Sequence, residues 1–478
     1  MDLGFRLFKD DETPLYVQAA DAVRSRIVGG EFRPGDRLPS VRGLSDDLGV
    51  NPATVVAAYR ILTREGFVAT RAGSGAFVAE GAPVDEWTAG CGVSAPADET
   101  AAPVVVDMAA NAPPLDLFPL DDMKRFIAEA IDADGGRAFE YQDTAGYGPL
   151  RAVVAGRLSA GLGGQRSPVD PGDVHIVSGA QQGIDLAARV LLRRGDVAAV
   201  ESPGYRGARD AFIAAGARVD AVPVVGGALD LRALERLASS RPLRLVHVNP
   251  TFQNPTGAVY AAERRDELAF LAERYGFYVI EDDQFSDLAW DGSSVPSVRS
   301  FDGAGRVIFV KSFSKSLMPG LRIAYLEAPS SLRERFEGVK RSIDISSNGL
   351  MQRVLERFLS SGRFEAHVAA ARTRYAAAYA AFDVALAPFT PSGLSWESPG
   401  GSLNLWLSLP PGIPARSFAS TSLAEGCAVV PESAFRYEQD VEGESDRHVR
   451  VSFGSVASDS LARSAMILGS VASGRVSQ

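Results

Sequence analysis

A chain of 478 residues is longer than one hydrophobic core normally organises, so two or three domains are expected. Its 46% hydrophobic and 23% charged residues describe a folded soluble protein. No apolar run approaches the roughly 20 residues of a membrane span. The opening MDLGFRLFKDDETP lacks the apolar core of a signal peptide, and a cytoplasmic protein is expected. Cys91 and Cys427 lie far apart, and His175, His247, His367 and His448 show no ligand spacing, which argues against a disulfide framework and against a metal site. The formal charge of −10 falls unevenly: residues 1–79 hold Lys9 and nine arginines against ten acids, so the whole excess lies beyond them. A nonspecific polyanion binder would be more basic than either part.

The first elements are helical. LYVQAADAVRSRIVGG carries apolar residues at helical spacing and stops at a glycine pair. A second helix begins at Ser40, a turn follows at Leu48–Val50, and a third helix has Asn51 as N-cap and Pro52 at its first position. Val55, Ala58, Tyr59 and Leu62 then face inward, leaving Thr54 and Arg60 for solvent or DNA. Phe67 to Val78 reads as two short strands around residues 72–75. On spacing alone, a small helical domain with no partner is as good a reading. PGDRLPSVRGL and GSGAFV, with the order of helices and wing over residues 13–79, resemble the winged helix-turn-helix of the GntR family. The resemblance implies DNA binding through Ser40, Arg42, Asn51, Thr54 and Arg60, with the wing around Gly73 approaching the minor groove.

The expected boundaries are 10–79 for this module, 80–104 for a linker rich in Ala, Gly, Pro and acids, and 105–475 for a large body. In the body, VHIVSG (174–179), VAAVES (197–202), LRLVHVNP (243–250), FYVIEDD (277–283) and RVIFVKSF (306–313) alternate with helical stretches. Continuous apolar runs that end in polar residues predict an α/β fold with a mostly parallel, doubly wound sheet, whose ligands sit at the carboxyl ends of the strands.

Lysine is rare here: only Lys9, Lys124, Lys311, Lys315 and Lys340 occur among 49 basic residues. Arginine cannot form an imine with an aldehyde and lysine can, so Lys315 in SFSKSLMPGLR is a pointed choice. Gly179, Ala180 and Gln181 open a helix after a strand, Tyr205 ends ESPGY, Asn254 lies in NPTFQNPTG, and Asp282 closes an apolar strand. Singly, each has an ordinary structural reading as a turn, a sheet-packed ring or a strand end. Together they supply what pyridoxal phosphate requires: a lysine for the imine, a carboxylate for the ring nitrogen, a donor to the phenolic oxygen, an aromatic face and an anion cradle.

The order of these segments resembles fold type I aminotransferases over about residues 105–470, with a smaller C-terminal α/β subdomain implied. By that resemblance Ser312 and Arg322 also bind the phosphate, Tyr141 reaches the site of a second subunit, and Arg450 grips a substrate carboxylate. One departure stands out: Gln284 and Phe285 occupy the positions after Asp282 where the family usually has a tyrosine. Joined to the winged helix, the body resembles the MocR type of regulator. The function implied is a dimeric, pyridoxal 5'-phosphate-dependent transcriptional regulator that senses an amine, an amino acid or the cofactor itself. A working aminotransferase with an accessory DNA-binding module is the alternative.

Overall fold

The computed structural model describes residues 14–28, 32, 35–71, 75–79, 106–161, 168–437 and 446–475. The chain divides into two units, Met1–Glu99 and Thr100–Gln478. Gly73 and the expected linker lie outside the described residues.

In the first unit α1 (Leu15–Val28), α2 (Val41–Leu48) and α3 (Pro52–Arg64) precede a hairpin of β1 (Val68–Arg71) and β2 (Gly75–Val78). Ser40 Oγ accepts the Gly43 N–H at 3.0 Å and starts α2, which stops at Gly49 in the left-handed conformation. Asn51 Oδ1 accepts the Ala53 N–H at 2.9 Å and starts α3. The 3.6-residue period then buries Val55, Ala58, Tyr59 and Leu62 against Val23, Ile27, Leu44 and Val78, as the sequence predicts. Tyr59 can sit inside because its hydroxyl donates to the Pro39 carbonyl at 2.8 Å.

The second unit opens with β3 (Val106–Asp107) and is built on a sheet of β4 (Val174–Val177), β5 (Val197–Ser202), β6 (Arg218–Val225), β7 (Ala228–Leu229), β8 (Leu243–Val248), β9 (Tyr278–Asp283), β10 (Val307–Ser312) and β11 (Ala324–Glu327). Their order is β4-β11-β10-β9-β8-β5-β6-β7. The centre, β10 through β6, is parallel, and β4, β11 and β7 pair antiparallel at the edges. Alternation along β9 sends Ile280 into the core on one face of the sheet and Val279 into the core on the other. Asp282 has the parity of Ile280. A third core forms around β12 (Asn404–Ser408) and β15 (His448–Ser452), which pair with each other, and receives Val106 and Met108. Two short strands, β13 (Cys427–Ala428) and β14 (Val430–Pro431), pair with β3 and β15 respectively. Among the described residues no helix is long and apolar enough to cross a membrane.

Candidate functional site

A cavity of about 450 Å³ lies beyond the carboxyl ends of β5, β8, β9 and β10, where an open α/β sheet presents its loops. It gathers Ala180, Gln181, Tyr205, Asn254, Asp282, Ser312, Lys315, Arg322 and Arg450 from segments up to 270 residues apart, the interval from Ala180 to Arg450. Each is set by its local backbone. Ala180 and Gln181 are the first residues of the helix Ala180–Leu191, and Tyr205 is the N-cap of Arg206–Ala214. Lys315 follows the last residues of β10, and Arg322 takes a left-handed φ of 52° after a short 3-10 turn. That conformation brings its Nη2 within 2.9 Å of the Ser178 carbonyl.

Gly179 contributes space instead of a donor. Its N–H is bonded to the Val177 carbonyl at 2.9 Å, and a Cβ there would stand 2.5 Å from Arg322 Nη2. Among the described residues the next two amides, of Ala180 and Gln181, have no backbone acceptor, whereas those of Gln182 and Gly183 donate to the Gly179 carbonyl; the free pair and Arg322 form a cationic corner suited to an anion.

Asp282 is buried at the end of β9. Gln284 Nε2 donates to its Oδ2 at 3.2 Å and His247 Nε2 stands 3.5 Å from the same oxygen. Its Oδ1 is buried with no partner among the described residues, an arrangement that calls for a bound donor. Burial lowers the Lys315 ammonium to about 8, with help from the nearby Arg450 charge, and its Nζ donates to the Asn111 carbonyl. Burial also lowers Arg450 to about 10. Arg450 Nη1 donates to Asn254 Oδ1 at 3.0 Å and Nη2 to the Ala109 carbonyl at 2.9 Å, while its guanidinium lies over the Phe435 ring at 5.0 Å. Tyr205 donates to Gln181 Oε1 at 2.8 Å, and burial pushes its phenol up to about 12.

Two neighbours of Asp282 part company. Gln284 shares its period-2 parity and lines the cavity, whereas Phe285 is fully buried in the third core with Phe252, Leu288 and Tyr375. Both lie past the last residue of β9, Asp283, where strand alternation no longer fixes side-chain direction, so the sequence pattern alone does not separate them. Sequence reasoning also passed over Asn111, Arg206 and Phe435, which line the cavity from loops and helix starts that no motif marks. Tyr141 lies outside the cavity and is 82% exposed. In the first unit Arg42, Asn51 and Arg60 are exposed and Thr54 is half-buried; the Ser40 and Asn51 side chains cap their helices.

A parallel α/β body with a lysine, a buried aspartate and an anion corner at its strand ends, preceded by a winged helix-turn-helix, defines a fold type I aminotransferase-like protein with a DNA-binding module. Family models agree: "Aminotransferase class I and II" matches residues 103–465 and "Bacterial regulatory proteins, gntR family" matches 15–78. The chain belongs to the aminotransferase class I and II family, with a GntR-family domain ahead of it, the composition of a MocR-type regulator. It is 32% identical to the HTH-type transcriptional regulator TauR of Rhodobacter capsulatus, over 86% of this chain and 88% of that one. It is 31% identical to the probable rhizopine catabolism regulatory protein MocR of Rhizobium meliloti, over 77% and 76%. The structure of α-aminoadipate aminotransferase from Thermus thermophilus, complexed with N-(5'-phosphopyridoxyl)-L-leucine, superposes with a TM-score of 0.70 at 30% identity, covering 77% of this chain and 92% of that one.

Proposed function

We propose that this protein is a transcriptional regulator that binds pyridoxal 5'-phosphate and DNA and senses an amine, an amino acid or the cofactor itself. The observation that carries it is the buried, unpartnered Asp282 Oδ1 in the same cavity as a lysine depressed to about 8. When bound, the cofactor supplies an electrophilic aldehyde carbon and an electron-withdrawing ring. Asp282 would hold a proton on the ring nitrogen. Ser312, Arg322 and the amides of Ala180 and Gln181 would hold the phosphate, with Gly179 keeping the corner open. Tyr205 would flank the ring, and Asn254 would donate to the phenolic oxygen. Lys315, with much of its population neutral near pH 8, can act as a nucleophile without a separate base. Arg450 offers a planar fork to a ligand carboxylate.

In the regulator reading, residues 10–79 form the DNA-binding domain, 80–104 the linker and 105–475 the effector-binding body. Arg42, Thr54 and Arg60 would meet the operator, Ser40 and Asn51 would fix the two helices that present them, and Gly73 would lie in the wing. The exposed Tyr141 would enter the site of a second copy in a homodimer. A sensor is favoured over an enzyme because no tyrosine follows Asp282: Gln284 faces the cavity and Phe285 faces the core. A gel shift with operator DNA, with and without cofactor and candidate amines, tests the reading. Operator affinity should change with at least one of them, and indifference to all rejects sensing. Steady ketoacid production from an amino acid and an α-ketoacid, beyond one half-reaction per site, would instead establish the aminotransferase.

A further inference from the structure

Two of the cavity's cations are already engaged, and a single stretch of six residues engages both. Lys315 Nζ donates to the Asn111 carbonyl, and Arg450 Nη2 donates to the Ala109 carbonyl at 2.9 Å. The stretch is built to present those oxygens. β3 pairs in parallel with β13, and the Met108 N–H continues the ladder to the Ala428 carbonyl at 3.0 Å. Asp107 Oδ1 then accepts the N–H groups of Ala109 and Ala110 at 2.9 and 3.0 Å, turning the chain inward. Asn404 Nδ2 holds Asn111 Oδ1 at 3.1 Å.

Both contacts compete with ligand. Linking a neutral Lys315 Nζ to an aldehyde carbon replaces C=O by C=N and releases the oxygen as water with two of the amine's hydrogens. The Asn111 carbonyl then loses its donor. A carboxylate that takes the Arg450 fork must share or displace Nη2, and the Ala109 carbonyl loses its donor in turn. Val106 is also the second residue of the body, separated by one residue from the expected linker 80–104 that leads to it from the winged helix. We propose that residues 106–111 are a strap that reads occupancy of the site and passes it to the DNA-binding module, released when Lys315 and Arg450 turn to ligand. This rests on the cofactor-sensing reading above.

Hydrogen exchange on the full-length protein, with and without pyridoxal phosphate as the probe, tests it alongside the Asp107→Ala variant. Binding should speed exchange at Met108, Ala109 and Ala110 by about fivefold, the scale of one net hydrogen bond. Asp107→Ala, with its strap already loosened, should show without cofactor the operator affinity that the parent shows with it. If the borohydride-sensitive visible band forms and exchange in 106–111 is unchanged, the strap is refuted while the cofactor reading survives. The same holds if the parent's operator affinity follows the cofactor and that of a folded Asp107→Ala follows it equally. If no band forms, the cofactor reading fails and the strap with it. Exchange in the parent decides the matter even if the variant does not fold.

Discussion

Lys315 is held where its charge is disfavoured. Its folded value of about 8 lies below the ordinary 10.5, so between the two the unfolded chain binds more protons here than the folded one. This group's contribution to stability therefore improves as pH rises through that window, and its cost is fully present below it. The same shift sets reactivity: borohydride-trapped cofactor should accumulate faster as pH climbs through about 8 and level off above. A profile that keeps climbing steeply through 9 toward 10.5, with no levelling above about 8, would show that the lysine is not tuned. Lys315→Arg keeps the cation and should abolish the trapped adduct, since a guanidinium forms no imine. An unchanged effector response in that variant would sink the sensing mechanism. At the neighbouring positions the structure makes unequal forecasts. Phe285→Tyr buries a hydroxyl in an apolar core and should cost about 1–3 kcal/mol in thermal or denaturant unfolding. Gln284→Tyr places the phenol toward the cavity and should shift the visible spectrum of the bound cofactor, which Phe285→Tyr should leave in place.

At the scale of elements, short sequence signals do much of the positioning. Asn51 caps α3, and losing that bond in Asn51→Ala should cost about 1 kcal/mol of local stability. It should be read as faster amide exchange in the first turn of α3 and weaker operator binding, with cofactor absorption unchanged. Strands β5, β8, β9 and β10 match the apolar runs to within two residues at either end. They were legible because strands buried on both faces must be apolar throughout, and because the polar residue ending each run marks the ligand edge. β3, β13 and β14 were not legible: each has two residues and is defined by its partner, with no internal period to reveal it.

For the whole molecule, the nearly neutral first module implies few phosphate contacts. Operator binding should weaken only gradually with salt, and Arg42→Ala should reduce the slope of log K against log salt by about 1. If the exposed Tyr141 completes the site of a second copy, Tyr141→Ala should weaken cofactor binding although it touches nothing in its own cavity. Mixing it with Lys315→Ala should then restore one competent site per mixed dimer. The sequence by itself determined the two-part organisation, the parallel sheet and most of the residues that line the cavity, because caps, turn residues and apolar periodicity are local and a lysine among arginines is a chemical choice. Only the tertiary structure decided which neighbour of Asp282 faces the cavity, that Gly179 makes room instead of donating, and that Ala109 and Asn111 hold Arg450 and Lys315. Those depend on side-chain direction and on backbone carbonyls, which every residue carries and no residue type announces.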